Sequence, residues 1–106
     1  MNTVIFLNTT ESGTAREALK STKELGYKVV VLTENIKHIQ QVERFQEVDE
    51  LVYIDQITFE SAKFYIDEYI LENNLSAILS FTDGYVAIAS RLADQFTPNI
   101  LNSKAL

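Results

Sequence analysis

Two short polar stretches hold the side chains best suited to chemistry: Thr9-Thr10-Glu11-Ser12-Gly13-Thr14 and Thr82-Asp83-Gly84. The first sets a run of hydroxyls and a glycine ahead of a helical pattern. Free N–H groups and the helix dipole favour an anion at such a place, so a carboxylate or phosphate oxygen could sit there. Glu11 would repel that anion or hold a substrate ammonium. The same residues can instead close a turn and cap the helix, because Ser, Thr and Gly are suited to that task. In the second stretch, Asp83 or Thr82 is placed to cap the following helix, and Gly84 lets the chain approach a ligand closely. For both loops the binding and the capping readings stay open.

Other chemistries find little material. The chain has no cysteine and a single histidine, His38, so thiolate chemistry, a disulfide framework and a histidine-based zinc site are excluded within it. No Ser/His/Asp arrangement can be assembled, and no catalytic or metal-binding residue is assigned. Asp49-Glu50, Asp67-Glu68, Arg91 and Asp94 read as surface charges, and Tyr85 as core. A dinucleotide fingerprint needs three glycines, and Gly13 stands alone. Glu34 lies roughly 20 residues further on, where an acid could hold a ribose. Without the other glycines it reads as a solvated glutamate at a strand end. No Gly-Lys-Ser or Gly-Lys-Thr follows the first turn, so a Walker cradle is absent as well.

The elements that must position these loops follow from the apolar pattern. Runs rich in β-branched residues recur over residues 3–7, 28–33, 51–54 and 76–81. They do not alternate, as strands buried on both faces of a parallel sheet require. Helical spacing fills the gaps. Ala15, Ala18, Leu19, Thr22 and Leu25 share one face of a first helix, for which Thr14 to Glu17 spells a capping box and Gly26 a stop. Phe59, Ala62, Ile66, Tyr69 and Ile70 share a face over residues 58–73, behind a Thr58 cap. Tyr85, Val86, Ala89, Leu92, Ala93 and Phe96 form the inward face of a last helix, expected to be the most buried. Residues 35–49 fit a short helix through Ile36, Ile39, Val42 and Phe45.

Strict alternation of strand and helix, with right-handed crossovers, predicts an α/β, Rossmann-like three-layer domain. Its parallel sheet should have four to five strands of order 3-2-1-4(-5), with helices on both faces. Ligands in such sheets sit beyond the carboxyl ends of the strands, at the switch point between the first and fourth. The two polar loops meet there, which makes Thr9, Thr10, Glu11, Ser12, Gly13, Thr14, Thr82, Asp83 and Gly84 the candidate substrate-binding residues.

A chain of 106 residues that is 46% hydrophobic is expected to form one domain, residues 1–106. Its net charge of −6 repels nucleic acid. Apolar runs of only about five to eight residues are too short for a membrane span, and a cytoplasmic protein is expected.

"NTTESGTAREALKSTKELGYKVVVLTEN" resembles the opening of ATP-grasp carboxylate–amine ligases of the L-amino-acid ligase type. These have a hydroxyl-rich "TTGTGR" turn, an "A..LG" helix end and a "VLLT" second strand. "ILSFTDGYVAIASRLADQF" is similar to their fourth strand and helix, with an "ARLA" core kept as Ser90-Arg91-Leu92-Ala93, and "TPNILNSKAL" resembles the segment leading into the ATP-binding part. The family's second glycine in the turn is replaced by Ser12 or Thr14, and its "LG.PG" segment by "FTPN".

The resemblance implies a pre-ATP-grasp domain on the acceptor-substrate side, inactive alone and packed against two ATP-grasp subdomains of the same parent chain. It also implies no cofactor in this fragment, with ATP and magnesium bound in the parent protein. There, ATP would phosphorylate a carboxylate and an amine would attack the acyl phosphate. "NSKAL" reads as the first turn of a helix cut off at Leu106, so a truncated product is expected. Two other readings stand beside this one. One is a stand-alone Rossmann-like module binding a small anionic metabolite. The other is an interaction domain forming a homodimer through exposed apolar surface.

Overall fold

Where the chain is apolar without interruption it forms strands. β1 (Asn2–Leu7), β2 (Lys28–Thr33), β3 (Glu50–Tyr53) and β4 (Asn74–Leu79) make one parallel sheet of order β3-β2-β1-β4 in the computed structural model, which describes residues 2–10 and 13–97. Ile5 of β1 stands opposite Val30 of β2 and Ile78 of β4, and Leu32 stands opposite Val52 of β3. The expected strand order is therefore found. A fifth strand, and the helix start expected near the carboxyl terminus, fall outside the described residues.

Successive strand residues point to opposite faces, so each run of apolar residues feeds two cores. Ile5, Leu7, Val30, Leu32 and Ile78 meet α3 (Phe59–Tyr69) and α4 (Val86–Phe96) through Ala62, Ile66, Ala89 and Leu92. Val4, Phe6, Val29 and Val31 meet Leu19 of α1 (Thr14–Glu24) on the other face. Helix, sheet and helix stack as the three layers of a Rossmann-like fold. Tyr69 OH and Thr3 Oγ1 share a buried 2.9 Å hydrogen bond that joins α3 to β1.

The helix ends correct several expectations. Thr14 is the first residue of α1, so the capping box of Thr14 and Glu17 does not form. Gly13 takes the N-cap place with φ 85° and ψ −161°, a region essentially restricted to glycine, and its carbonyl accepts from the Glu17 N–H at 3.0 Å. At the other end the expected stop holds. Gly26 N–H bonds the Lys23 carbonyl and Tyr27 N–H the Thr22 carbonyl, the paired bonds of a Schellman motif. Leu25 and Ile70 fall just past their helices and are exposed, against the expectation that they face the core.

Neither Thr82 nor Asp83 caps α4. Tyr85 is its N-cap residue, and no side chain accepts a capping bond. The cause is a turn over residues 82–85 that comes first: Tyr85 N–H reaches the Thr82 carbonyl at 3.3 Å, and Gly84 has φ 90° at the position where a type II turn needs it positive. Val86, expected inward, is 49% exposed as a result. Thr58 does cap α3, and Ser61 completes a capping box with it.

Residues 35–49 form a five-residue helix, α2 (Ile36–Gln40), and a single 3₁₀ turn over Val42–Arg44. The expected apolar spacing holds at Phe45, which is buried, but fails at Ile36 and Val42, which are exposed, while His38 is buried. Charge and aromatic contacts hold the segment instead. Arg16 pairs with Glu47, donates to the Arg44 carbonyl and lies 4.8 Å from the Phe45 ring centre. The His38 ring meets the edge of Phe45 at 5.1 Å.

Ile66 is fully enclosed between α3 and the sheet, whereas Phe64 on the same helix is 72% exposed. Ile66→Ala should lower unfolding free energy by about 2–5 kcal/mol. Phe64→Ala should stay within about 0.5 kcal/mol of the parent chain, as surface substitutions do. Urea denaturation followed by circular dichroism distinguishes the two; equal losses would contradict this packing.

Candidate functional site

The loops expected to form a site do meet at the carboxyl ends of the strands. β1 ends at Leu7, and Asn8 continues the ladder by donating its N–H to the Leu32 carbonyl at 2.7 Å. Asn8 does so with φ 66°, a left-handed conformation that asparagine tolerates better than most residues. This turns the chain sharply over the end of the sheet. Thr9 is buried, and its hydroxyl donates to the Thr10 carbonyl at 3.2 Å.

At the switch point between β1 and β4, the protein's own hydroxyls fill the junction. Ser80 Oγ donates to the Leu7 carbonyl at 2.7 Å and receives the Thr82 N–H at 3.3 Å. Thr82 Oγ1 lies 3.1 Å from Ser80 Oγ and 3.4 Å from the same carbonyl. Thr82 thus ties the fourth loop to the first strand, while Asp83 and Gly84 form an exposed turn beside it. Gly13 and Thr14 start α1, and Glu11 and Ser12 lie outside the described residues.

The open space lies on the other side of β1. A cleft of about 840 Å³ separates the first loop from the segment after β2. Asn8, Thr9 and Thr10 form one wall, and Glu34, Asn35, Lys37, His38, Gln41 and Arg44 form the other. Of the seven sequence-predicted residues that are described, Thr9 and Thr10 are the ones on its surface. The switch-point rule points to the junction of the first and fourth strands and so leaves the opposite wall out. The order 3-2-1-4 also sets the second strand beside the first, so the loop after β2 had to border the first loop too.

Glu34 is not the solvated strand-end acid expected. It is half-buried; Oε2 accepts the Ile57 N–H at 2.6 Å, and Oε1 accepts the Tyr85 hydroxyl. One carboxylate therefore joins the end of β2, the approach to α3 and the start of α4. The bond to Glu34, with burial and the nearby negative charge, pushes the Tyr85 hydroxyl up to about 12. Arg91 lies over the Phe59 ring at 4.3 Å, so it packs as well as carrying charge.

His38 forms part of the framework behind the cleft. Thr33 Oγ1 receives the Asn35 N–H at 3.0 Å and lies 2.8 Å from His38 Nδ1. Asn35 Nδ2 lies 3.5 Å from Nε2, so Thr33 and Asn35 hold the His38 ring from both nitrogens. Asn35 also caps α2 by accepting the Lys37 N–H at 3.0 Å.

Among the described residues, no three His, Asp or Glu side chains converge as a metal site, and no helix is long and apolar enough to cross a membrane. Compared with known proteins, the chain matches no family model, no curated protein and no solved structure.

The raised Tyr85 value carries a pH dependence. A folded-state pKa of about 12 against 10.0 for the free side chain means stability that is complete below pH 10 and lost as pH rises from 10 towards 12. Tyr85→Phe should flatten this part of the alkaline stability profile, measured by denaturant midpoint against pH. An unchanged slope in the variant would show that the Glu34 bond does not control the group.

Proposed function

We propose that this chain is the substrate-side, pre-ATP-grasp domain of an ATP-dependent carboxylate–amine ligase. The observation that carries the reading is the polar cleft at the carboxyl ends of β1 and β2, built on a parallel sheet of order 3-2-1-4 without a phosphate cradle. The motif resemblance at the first turn, second strand and fourth helix supports it independently of that geometry. The location that goes with it is cytoplasmic.

The residues present do not fit ATP or magnesium. Gly13 is the single glycine of the first loop, and Glu34 has both carboxylate oxygens engaged. The domain's contribution is to bind and orient an acceptor molecule, which raises effective concentration and lowers the orientational barrier to reaction. Asn8, Thr10 and Gln41 offer neutral hydrogen-bonding groups for that purpose. ATP-grasp subdomains of the parent chain are the proposed partners, and they would hold the nucleotide and magnesium.

A stand-alone module binding a small anionic metabolite is the second reading, favoured by a cleft whose walls both come from this domain. Calorimetry separates the two. The ligase reading expects no heat when the isolated chain is titrated with MgATP up to roughly 1 mM, a concentration covering the usual range of substrate affinities. Micromolar ATP binding by the isolated chain would overturn it.

A further inference from the structure

Among the described residues, lysines pair with carboxylates almost as a rule. Lys20 approaches Glu17 at 4.0 Å, Lys23 bonds Asp49 at 2.6 Å, Lys28 bonds Glu50 at 2.9 Å and Lys63 bonds Asp67 at 2.8 Å. Lys37 is the exception among the described residues: its ammonium has no carboxylate partner there, although acids outnumber basic residues by 15 to 9 along the chain. It is also the lysine that lines the cleft.

We propose that Lys37 is the anion-holding residue of the cleft, which takes a small polar metabolite bearing a carboxylate or a phosphate. Glu34, the carboxylate in the same lining, is held on both oxygens by Ile57 N–H and Tyr85 OH and is turned to structural use. Arg44 and His38 stand on the same wall as Lys37. Gln41 follows Lys37 by one helical turn, on the same side of the segment, and reaches the cleft with it. Across the gap, Asn8 and Thr10 offer neutral groups for the rest of the ligand. An ammonium facing an oxyanion makes a charge-assisted hydrogen bond, about twice as strong as a neutral one. The placement of Lys37 therefore selects for charge while the other wall selects for polar shape.

The inference rests on reading this end of the sheet as a substrate site, and it names the chemistry of what binds. The test titrates the ¹⁵N-labelled chain with L-glutamate and, separately, with inorganic phosphate at low ionic strength, up to roughly 10 mM, above the usual range of metabolite affinities. Backbone amides of residues 8–10 and 35–41 should shift together with at least one probe. Response to glutamate alone assigns a carboxylate, response to phosphate alone a phosphate, and response to both a general oxyanion subsite. Lys37→Met should weaken binding by about tenfold to a hundredfold, the effect of losing one charged hydrogen bond. Lys37→Arg should restore most of it, and Lys63→Met should leave it unchanged.

The spectra of the variants themselves report whether each remains folded. Silence of those amides with both probes, or Lys37→Met binding as tightly as the parent chain, would overturn the proposal. Failure of the ligase reading is a separate result, seen as ATP binding by the isolated chain, and it leaves these titrations as they are.

Discussion

β1 is paired on both edges and buried on both faces, and a parallel strand in that position dictates what stands at its carboxyl end. Val4, Ile5, Phe6 and Leu7 are at most 4% exposed, so no part of the strand can be shifted by one residue without moving its inner side chains to the wrong core. With β2 on one side and β4 on the other, right-handed crossovers must place α1 on one face and α3 on the opposite face, where α4 packs beside it. The same arrangement brings three loops together at one end. Two gaps result, and the protein treats them differently.

Between β1 and β4 the gap is closed by Ser80 and Thr82, whose hydroxyls converge on the Leu7 carbonyl. Between β1 and β2 it stays open, because Asn8 turns the first loop away while Asn35 and His38 anchor the second segment behind it. Glu34 spans from the cleft to Ile57 and Tyr85 and so links the two gaps. A ligand entering the cleft meets two polar walls, with Lys37 as the lysine that has no carboxylate partner among the described residues.

The helix termini show how tertiary and turn constraints outrank local capping rules. Thr14 and Glu17 have the right spacing for a capping box, yet Gly13 starts the helix one residue earlier because its backbone can make the sharp entry that a threonine cannot. Asp83 is a good capping residue in isolation, but the turn into Tyr85 takes its place before α4 begins. Thr58 caps α3 as its sequence suggests, where no competing turn intervenes. Residues 35–49 show the same lesson in packing. Ile36 and Val42 lie outside while His38 lies inside, because the partners of that segment are Arg16 and Thr33 instead of a hydrophobic face.

By itself the sequence determined the class of fold, the strand order and the end of the sheet at which the polar loops after the first and fourth strands gather. The reason is physical: unbroken apolar runs can only be buried from both sides, and chirality leaves one way to connect them. That Thr9 and Thr10 stand at the carboxyl end of the central strand was legible because they directly follow it in the chain. Tertiary structure alone decided which gap stays open, that Glu34 is a crosslink, and that Lys37 faces a cleft without a carboxylate partner among the described residues. Polar residues carry no periodicity to betray their direction, and the groups they meet are far away in the chain. Their roles are set only when the crossovers bring those distant segments together.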